Sequence, residues 1–172
     1  MPTSIHINDI GERVKIFIGI NKERSEYKGT DIMLKAATRL QEQYPAKMEL
    51  VKAESVPFKE YERLMDGSDA ILDQLYSYAP SMNSLLAMSK GIVCIGGGEE
   101  ECYELVNEKS LRPVVNVYPC YESVFGELKK LILTPSKLLG LKQQSIEYVR
   151  KHHDYIKVAS EYAKYYAASI GR

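Results

Sequence analysis

"VKIFIGINKERSEYKGTDIMLKAATRL" (residues 14–40) is the stretch whose reading decides the fold. Its first part, 14–20, is rich in β-branched and aromatic side chains and reads as a strand. Beyond a polar turn, Met33, Ala36, Ala37, Leu40 and Tyr44 recur on one face of a helix from about Thr30 to Tyr44. The turn is more than a connector. Lys22, Arg24 and Lys28 bring positive charge to it, and Gly29 lets the backbone pass close to a bound group.

The alternation continues outward from there. "KMELVKA" (47–53) is a half-alternating strand, and "FKEYERLMDGS" (58–68) a short helix ended by Gly67. "DAILDQLY" (69–76) reads as a strand and "SMNSLLAMSK" (81–90) as a helix that stops at Gly91. A strand in "IVCIGGG" (92–98), a glutamate-rich helix and a strand in "RPVVNVY" (112–118) follow. Pro113 is tolerable there only at a strand's start or on an edge. From Ser123 onward the chain reads as helix, broken at Thr134-Pro135. This order predicts an α/β fold: a doubly wound, Rossmann-like parallel sheet with helices on both faces and a C-terminal helical tail. No repeat or low-complexity tract interrupts it. One domain is expected over 14–172, with residues 1–13 as a leader or the remnant of an interdomain linker.

Length and charge narrow the function. A chain of 172 residues can bury a full core. With 23 basic and 23 acidic residues it has no bulk field to recruit nucleic acid or an anionic membrane, so any anion site must be local. No run of about 18 apolar residues is present to span a bilayer. The start, "MPTSIHINDIGER", lacks the basic-then-apolar layout of a secretory signal. Cys94, Cys102 and Cys120 read as free thiols, and a cytoplasmic protein is expected.

In open α/β sheets ligands lie beyond the carboxyl ends of the strands, at the topological switch point. "NKERSEYKG" (21–29) sits at such an end, and the helix behind it offers unpaired N–H donors. Taken alone, the stretch suits an ordinary solvated loop better, and neither GxxxxGK[ST] nor GxGxxG is present. In "YSYAPSMNSLLAMSKG" (76–91) Pro80 halts regular structure and Ser81 reads as a helix N-cap. Free N–H groups around Ser81, Met82 and Asn83 would face the same cleft as Lys28, while Leu85, Leu86 and Met88 pack inward. In "GGGEEECYELV" (96–106) three carboxylates would repel a phosphate but suit a sugar; they also suit the first turn of any helix. The histidines of "KHHD" (151–154) point roughly 100° apart on a helix and cannot share an ion without a bend, so no metal site is expected. Cys94 reads as a small buried residue. With His6 in the N-terminal stretch, no Ser-His-Asp set is evident.

In this order the pieces resemble the C-terminal, donor-binding domain of the GT-B glycosyltransferases of the retaining group 1 family, from about Val14 to the end of the chain. "FIGINKERSEYKGTDIMLKAATRL" (17–40) resembles that family's strand, loop and helix with its Lys-Gly pair. "YERLMDGSDAILDQLYS" (61–77) resembles its "Y…ADxxxxPS" segment. "LLAMSKGIVCIGGG" (85–98) is similar to "LEAMACGxPVVxxxxGG", and "YELV" (103–106) to "PEIV".

The resemblance implies a cytoplasmic enzyme of glycan or polysaccharide synthesis that transfers a sugar from a UDP- or GDP-sugar, with no metal or other cofactor. It implies that Lys28 grips the diphosphate. Arg24 or Lys22 would substitute for a second basic residue, whose place Ile20 holds. Ser81, Met82 and Asn83 would offer backbone N–H groups, and Val56 would lie beside the base. Two glutamates eight residues apart in the family fall here on Tyr78 and Leu86. A divergent branch would then bind its donor through Tyr78, Asp73 and the Glu99–Glu101 run, the spacing of Glu100 and Glu108 being fortuitous. No catalytic residue is assigned. The N-terminal acceptor domain is expected as a missing partner, met by "DYIKVASEYAKYYAASI" (154–170), which is apolar or aromatic on more than one face. Two expectations compete. One is a non-catalytic interaction module derived from a glycosyltransferase, which the absent glutamates favour. The other is an unrelated receiver- or flavodoxin-type protein, and a receiver would need acidic residues where this chain has lysines.

Overall fold

The structure, a computed structural model, describes residues 10–170, so His6 and most of the expected leader 1–13 lie outside the described residues. Five parallel strands form one sheet: β1 (Val14–Ile20), β2 (Met48–Glu54), β3 (Ala70–Leu72), β4 (Val93–Gly96) and β5 (Val115–Asn116). Between and after them run α1 (Ser25–Lys28), α2 (Thr30–Gln43), α3 (Phe58–Met65), α4 (Met82–Ser89), α5 (Glu100–Leu105), α6 (Tyr121–Leu133), α7 (Ser136–His152) and α8 (Tyr155–Ile170). A 3-10 turn, Lys22–Arg24, links β1 to α1. The strand order β2-β1-β3-β4-β5 puts the topological switch point between β1 and β3.

Alternation along the strands builds two cores. Val14, Ile16, Ile18 and Ile20 point to one face with Ala70, Leu72, Val93 and Ile95, under Met33, Ala36, Ala37 and Leu40 of α2 and Val124, Leu128, Leu131 and Ile132 of α6. Phe17, Ile71 and Cys94 point to the other, under α3, α4, α5 and the Tyr148 end of α7. The α7 helix joins both, with Leu138 in the first cluster and Tyr148 in the second. Between them Lys142 meets Asp69, the residue just before β3, at the amino ends of the strands. At the β2 edge Gln41 of α2 accepts the Leu50 backbone N–H, which takes an edge donor out of circulation.

Three boundaries differ from expectation. β3 is only Ala70–Leu72 rather than 69–76, because Asp73 turns its carboxylate to the Ser81 backbone N–H (2.6 Å) and draws 73–81 into a loop. β5 pairs over only two residues, since Pro113 has no N–H and Arg112 donates its own to Gln144. The helical tail breaks a second time after His152, where Asp154 Oδ1 accepts from the N–H groups of Ile156 and Lys157 and starts α8.

Candidate functional site

The carboxyl ends of β1 and β3 carry the two loops that sequence reasoning singled out, and the backbone fastens them together. The Lys28 carbonyl accepts the Leu75 N–H at 2.9 Å. Gly29 adopts φ 71°, and a Cβ there would come within 2.9 Å of the Leu75 side chain. Glycine is therefore required twice over, for the left-handed backbone and for the close approach. Lys28 ends α1 half-buried and, among the described residues, has no ion-pair partner. Arg24 is exposed and likewise unpaired among them. Lys22 is already committed: it lies 2.8 Å from Glu54 and, with Lys52, holds that carboxyl down to about 2. It also ends a concavity of about 800 Å³ that runs along the outer side of α2.

Ser81 corrects the expectation of a free donor. It occupies the N-cap position of α4, yet its side chain caps nothing in that helix. Its N–H and hydroxyl both donate to Asp73, a carboxylate only 6% exposed. An internal anion thus already sits at this helix N-terminus, leaving Met82 and Asn83 as the first-turn donors. Asp73 is accordingly a brace for the loop rather than the donor contact expected of it. Asn83 lies beside Tyr61, a residue sequence reasoning did not single out. The Tyr61 ring rests on Gly19, where a Cβ would collide with it, and packs edge-on against Phe17. Burial, and then the charge of Asp73, push the Tyr61 phenol up to about 12, while Asn83 works the other way. No local pattern announces that ring; only β1 losing its side chain at Gly19 hints that something lies there.

Beyond this lies a smaller cavity of about 370 Å³, lined by Leu75, Tyr76, Ser77, Tyr78, Glu99 and Pro119. Its walls are tied at backbone level: the Gly97 N–H donates to the Gln74 carbonyl, the Glu99 N–H to the Tyr78 carbonyl, and the Gly98 N–H to Asn116 Oδ1. A Cβ on Gly97 would collide with the Ser77 carbonyl. Gly97→Ala is therefore expected to cost about 1–3 kcal/mol by overpacking. Denaturant unfolding checks the figure, and an unchanged midpoint would show that the 77–78 loop gives way freely.

The other sequence candidates separate. Tyr78 is 70% exposed and opens onto that cavity. Val56, half-buried just after β2, and Leu86 of α4 both pack on the second core. Glu100 pairs with Arg112 at 2.7 Å. Glu108 is buried and accepts from Ser110, Leu111, Lys151 and His152, which hold its carboxyl far below the usual carboxylate range, the His152 bond foremost. Both members of that Glu pair are therefore structural. His152 is the Glu108 partner, and His153 is half-buried beside Tyr148. Cys94 is wholly buried, and burial pushes its thiol up.

No known family profile and no curated protein matches this chain. Solved structures do. The catalytic domain of starch synthase IV from Arabidopsis thaliana, bound to ADP and acarbose, superposes with a TM-score of 0.64 at 13% identity, over 94% of this chain and 39% of that one. The HepE protein of Anabaena, in complex with UDP and glucose, does so with a TM-score of 0.65 at 13% identity, over 92% of this chain and 49% of that one. The C-terminal domain of a group 1 glycosyl transferase from Francisella tularensis gives 0.57 at 16% identity, over 82% of this chain and 86% of that one. The chain thus spans less than half of the first two and most of the isolated domain. It has the fold of the C-terminal, Rossmann-like domain of the GT-B glycosyltransferases of group 1.

Proposed function

We propose that this chain is the donor-binding half of a glycosyltransferase, holding a nucleoside diphosphate sugar at the β1–β3 switch point. The observation that carries it is the Lys28-Gly29 turn locked to the loop before α4 by the Lys28 carbonyl and Leu75 N–H. That link ties the Lys28 turn to the loop that leads into α4, and among the described residues the Lys28 side chain has no ion-pair partner. As the sugar leaves, charge gathers on the diphosphate, and Lys28 with the N–H groups of Met82 and Asn83 would stabilise it without a metal. Arg24 is the second cation, and Val56 with Phe58, which is 61% exposed, borders the place for the base. The acceptor half would be a separate N-terminal domain. The α8 helix supports that partner: none of its residues is buried, and Tyr155, Tyr162, Tyr165 and Tyr166 stand 57–69% exposed. Among the described residues no helix is long and apolar enough to cross a membrane.

Two observations favour the alternative, a non-catalytic module. Asp73 already fills the Ser81 donors that a diphosphate would use, and Tyr78 and Leu86 supply no carboxylate. A thermal-shift series with UDP, GDP and ADP separates the two. A ligand at 100 times its dissociation constant should add about 2.7 kcal/mol to the unfolding free energy. No stabilisation by any of the three at millimolar concentration would reject the donor-binding reading in favour of the module.

A further inference from the structure

We propose that Glu99 is the specificity-determining carboxylate for the sugar, acting from the amino end of α5 with Tyr76 and Tyr78 as the walls of its subsite. This rests on the donor-binding reading above and names the part of the ligand that the 370 Å³ cavity takes.

Three observations single out Glu99 from the run of acidic residues around it. It stands at the N-cap position of α5, yet its side chain accepts no hydrogen bond from that helix. Among the described residues it has no ion-pair partner, although Glu100 beside it grips Arg112 through both oxygens at 2.7 and 3.0 Å. It lines the cavity, which Glu100, Glu101 and Glu104 do not. A carboxylate free of its local partners, at the rim of a cleft, is an acceptor in want of donors.

The rest of the lining says which donors. Tyr76 and Tyr78 are 57% and 70% exposed and present aromatic surface to the cavity, with Pro119 and Leu75 completing an apolar wall. A pyranose ring fits that combination: its C–H face packs on aromatic or apolar surface while its rim hydroxyls donate to a carboxylate. No basic side chain lines this cavity, so it is the wrong place for a phosphate, which belongs with Lys28 on the neighbouring loop. The volume lies at the small end of ligand clefts, suited to one sugar ring rather than a whole nucleotide. The walls are preformed, since Gly97 lies against the Ser77 carbonyl and the Glu99 N–H is held by the Tyr78 carbonyl. Glu99 therefore takes up, from a different element, the work that a glutamate at position 78 or 86 would do.

Calorimetric titration of the full chain with UDP, GDP and ADP, and with their glucose and mannose derivatives, tests this. The wild type is expected to bind one nucleotide sugar more tightly than its parent diphosphate. Glu99→Gln should erase that gain, about tenfold or more for a charge-assisted contact, and leave the diphosphate affinity unchanged. Tyr78→Ala should lose part of the gain, and Glu101→Gln, on the exposed side of α5, none of it. Circular dichroism of each variant confirms the fold. If a diphosphate binds but its sugar adds nothing, or if Glu99→Gln keeps the gain, the assignment of Glu99 is overturned and the diphosphate site stands. If no diphosphate or nucleotide sugar binds the wild type, the donor-binding reading itself falls.

Discussion

Alanine in place of Lys28 is expected to weaken the binding of a nucleoside diphosphate by about 1.5–3 kcal/mol, the worth of a charge-assisted hydrogen bond. That is roughly a 10–150-fold rise in the dissociation constant. The fold should not suffer, because the stitch between the loops is made by the Lys28 carbonyl and the Leu75 N–H, and both survive the substitution. The loss should also stand out against other cations. Lys22 is 2.8 Å from Glu54, so Lys22→Ala should leave binding unchanged. Arg24, exposed on the preceding turn, should matter less than Lys28 and lose its effect at high salt. Since Asp73 already occupies the Ser81 donors, the site leans more heavily on its cation than two bare helix ends would. Titration calorimetry with UDP and GDP at two salt concentrations measures all three variants. Equal affinity for wild type and Lys28→Ala would remove Lys28 from the site.

The framework was legible because it depends on local patterns. The run 14–20 is apolar on both faces, as a strand buried between helices must be, and Met33, Ala36, Ala37 and Leu40 face one core. What escaped was what side chains do across the fold. Asp69–Tyr76 has the composition of a strand, but Asp73 spends its carboxylate eight residues ahead at Ser81, and no window of sequence shows that bond. The spare donor imagined at Ser81 was lost to the same bond. Glu99, Glu100 and Glu101 look alike in the sequence. The fold makes one an Arg112 partner and turns another towards a cavity formed by residues 75–78 and 119. Glu108 and His152, forty-four residues apart, meet only because α7 returns across the α5–β5 loop. The tyrosines of α8 were the exception, since a helix with so little charge announces an uncovered face by composition alone.

The Lys142–Asp69 pair should carry the largest effect on stability, since Lys142→Ala is expected to cost about 3–5 kcal/mol. The two atoms are 2.6 Å apart, with side chains 4% and 10% exposed. Asp69 is tied on its other oxygen as well, where it accepts the Lys15 backbone N–H at 2.8 Å and so pins the start of β3 to the start of β1. Removing the ammonium leaves that carboxylate in a nearly dry site with one donor, and the penalty is its uncompensated desolvation rather than the worth of the pair. Truncating the pair from both sides should therefore hurt less than truncating Lys142 alone. Lys142→Met with Asp69→Asn fills the volume and keeps an amide oxygen for Lys15, and it should recover most of the loss; the double-mutant cycle reads the coupling. Because α7 crosses at the amino ends of the strands, opposite the mouth, nucleotide affinity of the folded fraction should not change. Urea unfolding followed at several salt concentrations checks this: a midpoint that falls by less than 1 kcal/mol-equivalent, or that recovers with salt, would show a solvated pair with no such role.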